Sequence, residues 1–181
     1  MAVTEYDAVV YDLDGTLVDL DVDWNAVAAD VRAVYDRSNV APPSDGLWDM
    51  LEGAADAGLA DEVESAIAAH EHDGARTSAR LAHADELLER RLPAGVCSLN
   101  CERACRIALD EHALAPAVDA VVGRDTVGTW KPDPEPLLAA VCRLDAEPER
   151  ALFVGDSARD ERTAERAGID FEYVGEGSAG V

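Results

Sequence analysis

Apolar positions along the chain follow two different periods. Ala8-Val9-Val10-Tyr11 is an unbroken apolar run and reads as a buried strand, which ends in the turn-like Asp12-Leu13-Asp14-Gly15-Thr16. From there to about residue 90 the period is helical. Trp24, Val27, Ala28, Val31, Val34 and Tyr35 fall on one face behind Asp23 as an N-cap, and a Pro- and Gly-containing break spans 41–46. Shorter Ala-rich helices are expected over 47–55, 59–69 and 75–91. After Pro93 the rhythm changes to strand alternating with helix. Strands are expected at 95–98, 117–122, 151–155 and 171–174. Asn100 is expected to cap the second-half helix bearing Cys101, Ala104, Cys105 and Ala108, and Asp133-Pro134 opens the next one. Short apolar strands separated by helices imply an α/β fold: a Rossmann-like, doubly wound parallel sheet with an inserted all-helical cap. The expected division is 1–17 and 91–181 for the core and 18–90 for the insertion.

Composition narrows the class. The 181 residues are 48% hydrophobic and 29% charged, which suits one globular core with a modest insertion. No apolar stretch has the length of a membrane span, and the first five residues lack the basic and apolar regions of a leader, so a soluble, cytoplasmic protein is expected. Asp plus Glu total 38 against 15 Lys plus Arg, a formal charge of −23, and all but one of the basic residues are Arg. Such a surface repels nucleic acid and anionic lipid. Acid-rich, Lys-poor composition resembles that of proteins from salt-loving organisms, where concentrated salt screens the self-repulsion. The four cysteines form no CxxC pair and are expected to be free and mostly buried. The four histidines are expected at the surface. His70 and His72, two apart on a helix, do not share a face for a metal.

In a parallel sheet the ligand sits at the carboxyl ends of the strands. Those ends carry Asp12 and Asp14 on the first strand, Ser98 on the second, Lys131 after the third, and Asp156 and Asp160 on the fourth. Four carboxylates in one crevice call for a cation, and hard oxygen donors favour Mg²⁺. A hydroxyl and the chain's only Lys add what a transferring phosphoryl group needs.

These residues carry a family resemblance. Asp12-Leu13-Asp14-Gly15-Thr16-Leu17-Val18-Asp19 resembles motif I of the haloacid dehalogenase-like (HAD) hydrolases, and Ser98 resembles motif II. Lys131 in Lys131-Pro132-Asp133-Pro134-Glu135 resembles motif III, and Gly155-Asp156-Ser157-Ala158-Arg159-Asp160 resembles motif IV. The motifs stand in order across the chain, and the helical insertion resembles the cap of the phosphoglycolate phosphatase-like branch. The resemblance implies Asp12 as nucleophile and Asp14 as acid and base. It implies Mg²⁺ held by Asp12, the Asp14 carbonyl and Asp156. Asp160 would support the metal from behind or reach it through a water, Ser98 and Lys131 would hold the phosphoryl oxygens, and Gly15 and Thr16 would shape the turn. The implied activity is hydrolysis of a small phosphate ester. A phosphomutase like β-phosphoglucomutase shares every motif, and a non-catalytic phospho-ligand module is the reading from another class. Leu99 stands where the family usually has Asn. Trp24 is expected in the cap core, Trp130 is an equal candidate for the site or the core, and Asp19 and Asp125 are expected as solvated charges.

Overall fold

A computed structural model describes residues 5–175. The expectations for the leader region and for the end of the core therefore lie partly outside the described residues. The five-stranded sheet has the order β5-β4-β1-β6-β7, with every pairing parallel. Its strands are β1 (Ala8–Tyr11), β4 (Ala94–Cys97), β5 (Ala120–Val122), β6 (Ala151–Gly155) and β7 (Asp170–Tyr173). In β1, Val9 and Tyr11 face one apolar layer and Ala8 and Val10 the other. The first layer is completed by α4 (His83–Glu89) and α5 (Glu102–Glu111), the second by α6 (Glu135–Arg143) and α7 (Ala158–Ala167). Burial on both faces is why β1, β4, β5 and β6 are continuous apolar runs rather than alternating ones, whereas the edge strand β7 is only partly buried. The chain leaves β1 for β4 on one side and returns to β6 on the other, so β1 sits at the switch point where a crevice opens.

A separate apolar cluster joins α1 (Trp24–Arg37), α2 (Leu47–Ala54) and α3 (Ala60–Arg76). Asp23 caps α1 as expected, its Oδ1 accepting from the backbone of Asn25 and Ala26. The helix expected over 75–91 forms only in its second half. Helix α3 runs on to Arg76, and β3 (Ala79–Arg80) then pairs antiparallel with β2 (Val18–Asp19) before α4 begins. The insertion is thus not wholly helical. Its two ends pair where they leave and rejoin the sheet, and that tertiary pairing outweighs the helical preference of an Ala-rich segment. Ala84 and Leu87 of α4, like Leu17 and Val18, pack with the sheet rather than with α1–α3. Among the described residues no helix is long and apolar enough to cross a membrane.

Helix α3 is fastened to the sheet by a buried ion pair. Arg124, in the loop after β5, donates from both terminal nitrogens to Glu71 at 2.7 and 3.0 Å, and also pairs with Glu64. Glu71 accepts in addition from Cys101 N and Asn100 Nδ2. Removing one partner of a buried pair strands the other charge. Glu71→Ala is expected to cost about 3–5 kcal/mol, towards the lower figure because Glu64 still holds Arg124, and a urea melt would read it as an earlier midpoint.

Three cysteines are buried and free, and Cys142 is free and exposed. The histidines depart from expectation: all four are half-buried. His70 Nε2 lies 2.7 Å from Asp30, His72 lies 3.4 Å from Cys101 Sγ, and His112 lies 2.9 Å from Ser78 Oγ. His70 and His72 diverge as their spacing requires.

Candidate active site

The floor of the crevice is built from the strand ends. Asp12 leaves β1 with its N–H still bonded to Val154 O of the neighbouring strand, so its position is set by the sheet. Its Oδ1 accepts from Leu13 N at 2.7 Å and lies 2.9 Å from Lys131 Nζ. The same ammonium lies 2.5 Å from Asp160 Oδ1, and all three side chains are nearly inaccessible. The other Asp160 oxygen accepts from Ser157 Oγ and N as half of a capping box that opens α7. Gly155 permits this close approach, since a Cβ there would stand 2.8 Å from Asp160.

Gly15, at φ +81°, turns the chain out of the strand and leaves room for Asp156. A Cβ at Gly15 would meet Asp156 Oδ2 at 2.2 Å. The turn is closed by backbone bonds from Gly15 N to Val18 O and from Leu17 N to Leu13 O. The Thr16 hydroxyl is buried without a hydrogen-bond partner among the described residues, so the backbone rather than that side chain holds the turn. Asp14 Oδ1 accepts from Leu20 N at 2.9 Å, which fixes the carboxyl on the crevice wall. Ser98 closes β4, bonded through its N–H to Val122 O, and its Oγ donates to Asn100 Oδ1 and accepts from Asn100 N.

Asn100 is therefore not the cap of α5. Cys101 occupies that position, and the free N–H of Glu102 is met by Asp125 Oδ1 at 2.7 Å from the loop after β5. Asp125, expected as a solvated charge, is this acceptor. Asp133 serves α6 from one residue further out than expected, with Pro134 at the cap position and Glu135 N donating to Asp133 Oδ1.

Electrostatics follow from burial. Burial pushes the Asp12 carboxyl up, against the pull of Lys131 and with a push from Asp160. It raises Asp14 to about 6, and it raises Asp156, to which Asp160 adds. Burial also disfavours the Lys131 charge, but Asp12 and Asp160 outweigh it and hold that ammonium protonated. Asp160 is the exception among the carboxyls: burial is outweighed by Lys131 and Ser157, and its pKa falls.

One cation against four carboxylates leaves the floor strongly negative. Oxygens of Asp12, Asp156 and Asp160 lie within 4.8 Å of one another. Hard carboxylate donors at that spacing, with a glycine making room for one of them, fit a small divalent cation such as Mg²⁺.

Asp12, Asp14, Ser98, Lys131, Asp156 and Asp160 all line one cleft of about 350 Å³. Gly15 and Thr16 stand beside it in the turn. The opposite wall comes from the insertion: Trp24, Leu47 and Trp48. Trp24 packs with the α1–α3 cluster as expected and also faces the cleft, its ring centroid 5.9 Å from that of Trp48. Trp130 packs against the same cluster and does not line the cleft. Trp48, Asn100 and Arg159 had no signal as site residues in sequence. Arg159 stands inside motif IV, and Asn100 stands two residues after Ser98.

Comparison with known proteins agrees with this geometry. The family model of the haloacid dehalogenase-like hydrolases matches residues 9–174. A phosphoglycolate phosphatase of Rhodospirillum rubrum is 32% identical over 190 aligned positions, covering 90% of this chain and 76% of the relative. A pyrophosphatase of Bacillus velezensis is 30% identical, covering 89% and 79%. A HAD-superfamily hydrolase structure from Geobacter sulfurreducens superposes with a TM-score of 0.62 at 26% identity, covering 92% and 88%. The chain belongs to the haloacid dehalogenase-like hydrolases, in their phosphoglycolate phosphatase-like branch of phosphatases.

Proposed function

We propose that this phosphatase hydrolyses small phosphate monoesters through an aspartyl-phosphate on Asp12, with Mg²⁺ held by the Asp12 side chain, the Asp14 carbonyl and Asp156. The observation that carries the reading is Lys131 Nζ bridging Asp12 and Asp160 at the floor of a cleft that Asp14, Ser98 and Asp156 also line. An Asp12 oxygen attacks phosphorus as the ester P–O bond breaks, and Asp14 gives its proton to the departing alkoxide. Asp14 then takes a proton from water. The water oxygen attacks the same phosphorus, the bond to Asp12 breaks, and phosphate and the Asp12 carboxylate are restored. Ser98 and Lys131 hold the non-bridging oxygens. Asp160 has both oxygens engaged, by Lys131 and by Ser157, which supports a role in orienting Lys131 rather than in ligating the metal. When bound, the metal neutralises charge that builds on the phosphoryl oxygens.

The insertion, residues 18–90, serves as the cap that walls the cleft through α1–α3. Phosphoglycolate, the substrate named in the relatives, is the first ester to test. The acidic composition supports a cytoplasmic protein working in concentrated salt on a small ester, without nucleic-acid or membrane partners. Phosphate release measured in molar KCl is expected to vanish with EDTA and return with excess Mg²⁺, with Ca²⁺ a poor substitute because it prefers a larger, looser shell. Full activity in EDTA would contradict the metal's part.

A further inference from the structure

The cleft has two cations among its described lining residues, Lys131 and Arg159, and they are used differently. Lys131 is buried between two carboxylates on the floor. Arg159, in the first turn of α7, is half-buried and has no carboxylate within ion-pair distance among the described residues. Eight of the 14 arginines lack such a partner among the described residues, and of these only Arg159 lines the cleft. Asp160 is unavailable because its oxygens are taken by Lys131 and Ser157. The guanidinium instead lies over the Trp48 ring, 5.4 Å from its centroid, on the wall that the insertion contributes. It is an unneutralised, fork-shaped donor that an aromatic face holds at the wall of the cleft.

We propose that Arg159 is the residue that reads the charge on the non-transferred end of the ester, pairing with a carboxylate there. The proposal rests on the cleft being a phosphate-ester site. With phosphorus on Asp12, a short ester projects its tail away from the floor and towards the Trp48 wall. A carboxylate tail would meet two parallel N–H donors, and a neutral tail would leave them unpaired.

The test compares phosphoglycolate with 2-hydroxyethyl phosphate, which has the same length and a neutral tail. The parent chain is expected to favour phosphoglycolate in kcat/KM by about 10- to 100-fold, the range of one charge-assisted pair. Arg159→Gln is expected to remove most of that preference, chiefly by raising KM for phosphoglycolate. Arg159→Lys, which keeps the charge, restores part of it. Titration calorimetry of both esters into Asp12→Asn, with and without Arg159→Gln, reads the same discrimination without turnover. If neither ester is hydrolysed but calorimetry shows the discrimination and its loss, the phosphatase reading fails and the role of Arg159 stands. A parent chain that binds both alike, an Arg159→Gln chain that keeps the preference, or an equal loss for both esters would each overturn it. Equal loss would mean that Arg159 contacts the phosphoryl group itself.

Discussion

Asp12→Asn is expected to lower phosphate release by at least about 10⁴-fold for every ester, the scale of losing a nucleophile. An amide oxygen is a poor nucleophile towards phosphorus, and neither Lys131 nor Asp160 beside it can take over. Lys131 is committed as a cation, and Asp160 is engaged through both oxygens. The fold should survive. Asn keeps the oxygen that accepts from Leu13 N, and Lys131 keeps Asp160 as its partner. Burial also works against the Asp12 charge, so a neutral amide there removes a desolvation cost. The thermal midpoint is therefore expected to match or exceed that of the parent while turnover is lost. Activity within tenfold of the parent would remove Asp12 from the chemistry.

Asp14→Asn separates the two steps of the reaction. Burial raises Asp14 to about 6, a value from which a carboxyl both gives and takes a proton near neutrality. Asn preserves the backbone carbonyl, and its side-chain oxygen can still accept from Leu20 N. Only the proton is lost. An alkyl phosphate needs that proton on its leaving oxygen, so its turnover should fall by about 10²–10⁴-fold. Nitrophenyl phosphate leaves as a stable anion and needs little help in the first step. Its second step still lacks a base for the attacking water. A rapid burst of one nitrophenolate per enzyme, then slow turnover, is the expected trace in stopped flow.

The floor of the site was legible in sequence because its residues end a strand or stand in the turn or first helical turn that follows one. Asp12, Ser98 and Asp156 follow apolar runs, and Lys131 stands out as the chain's one Lys. The parallel sheet followed from the same runs. The wall of the site was less legible. The strands β2 and β3 are two residues long and have no period to read, so the Ala-rich segment around them looked helical. Trp48 belongs to a helix that buries Met50, Leu51 and Ala54, and which neighbour its ring meets depends on how the insertion docks. Glu71 did leave a trace. It lies on the face of α3 that carries Val63 and Ile67, and a carboxylate on an apolar stripe needs a partner. That partner, Arg124, lies 53 residues away and is brought close only by the sheet. The acceptor for the start of α5 arrived the same way, from Asp125 rather than from adjacent Asn100.

The central claim is a covalent phosphoenzyme on Asp12. The Asp14→Asn chain, mixed with nitrophenyl phosphate and Mg²⁺ and quenched in acid during the burst, is expected to hold about one phosphoryl group per enzyme. Peptide mass spectrometry should find the added mass of HPO₃ on Asp12. An unmodified Asp12 peptide, together with alkyl and nitrophenyl phosphates slowed equally, would contradict the account.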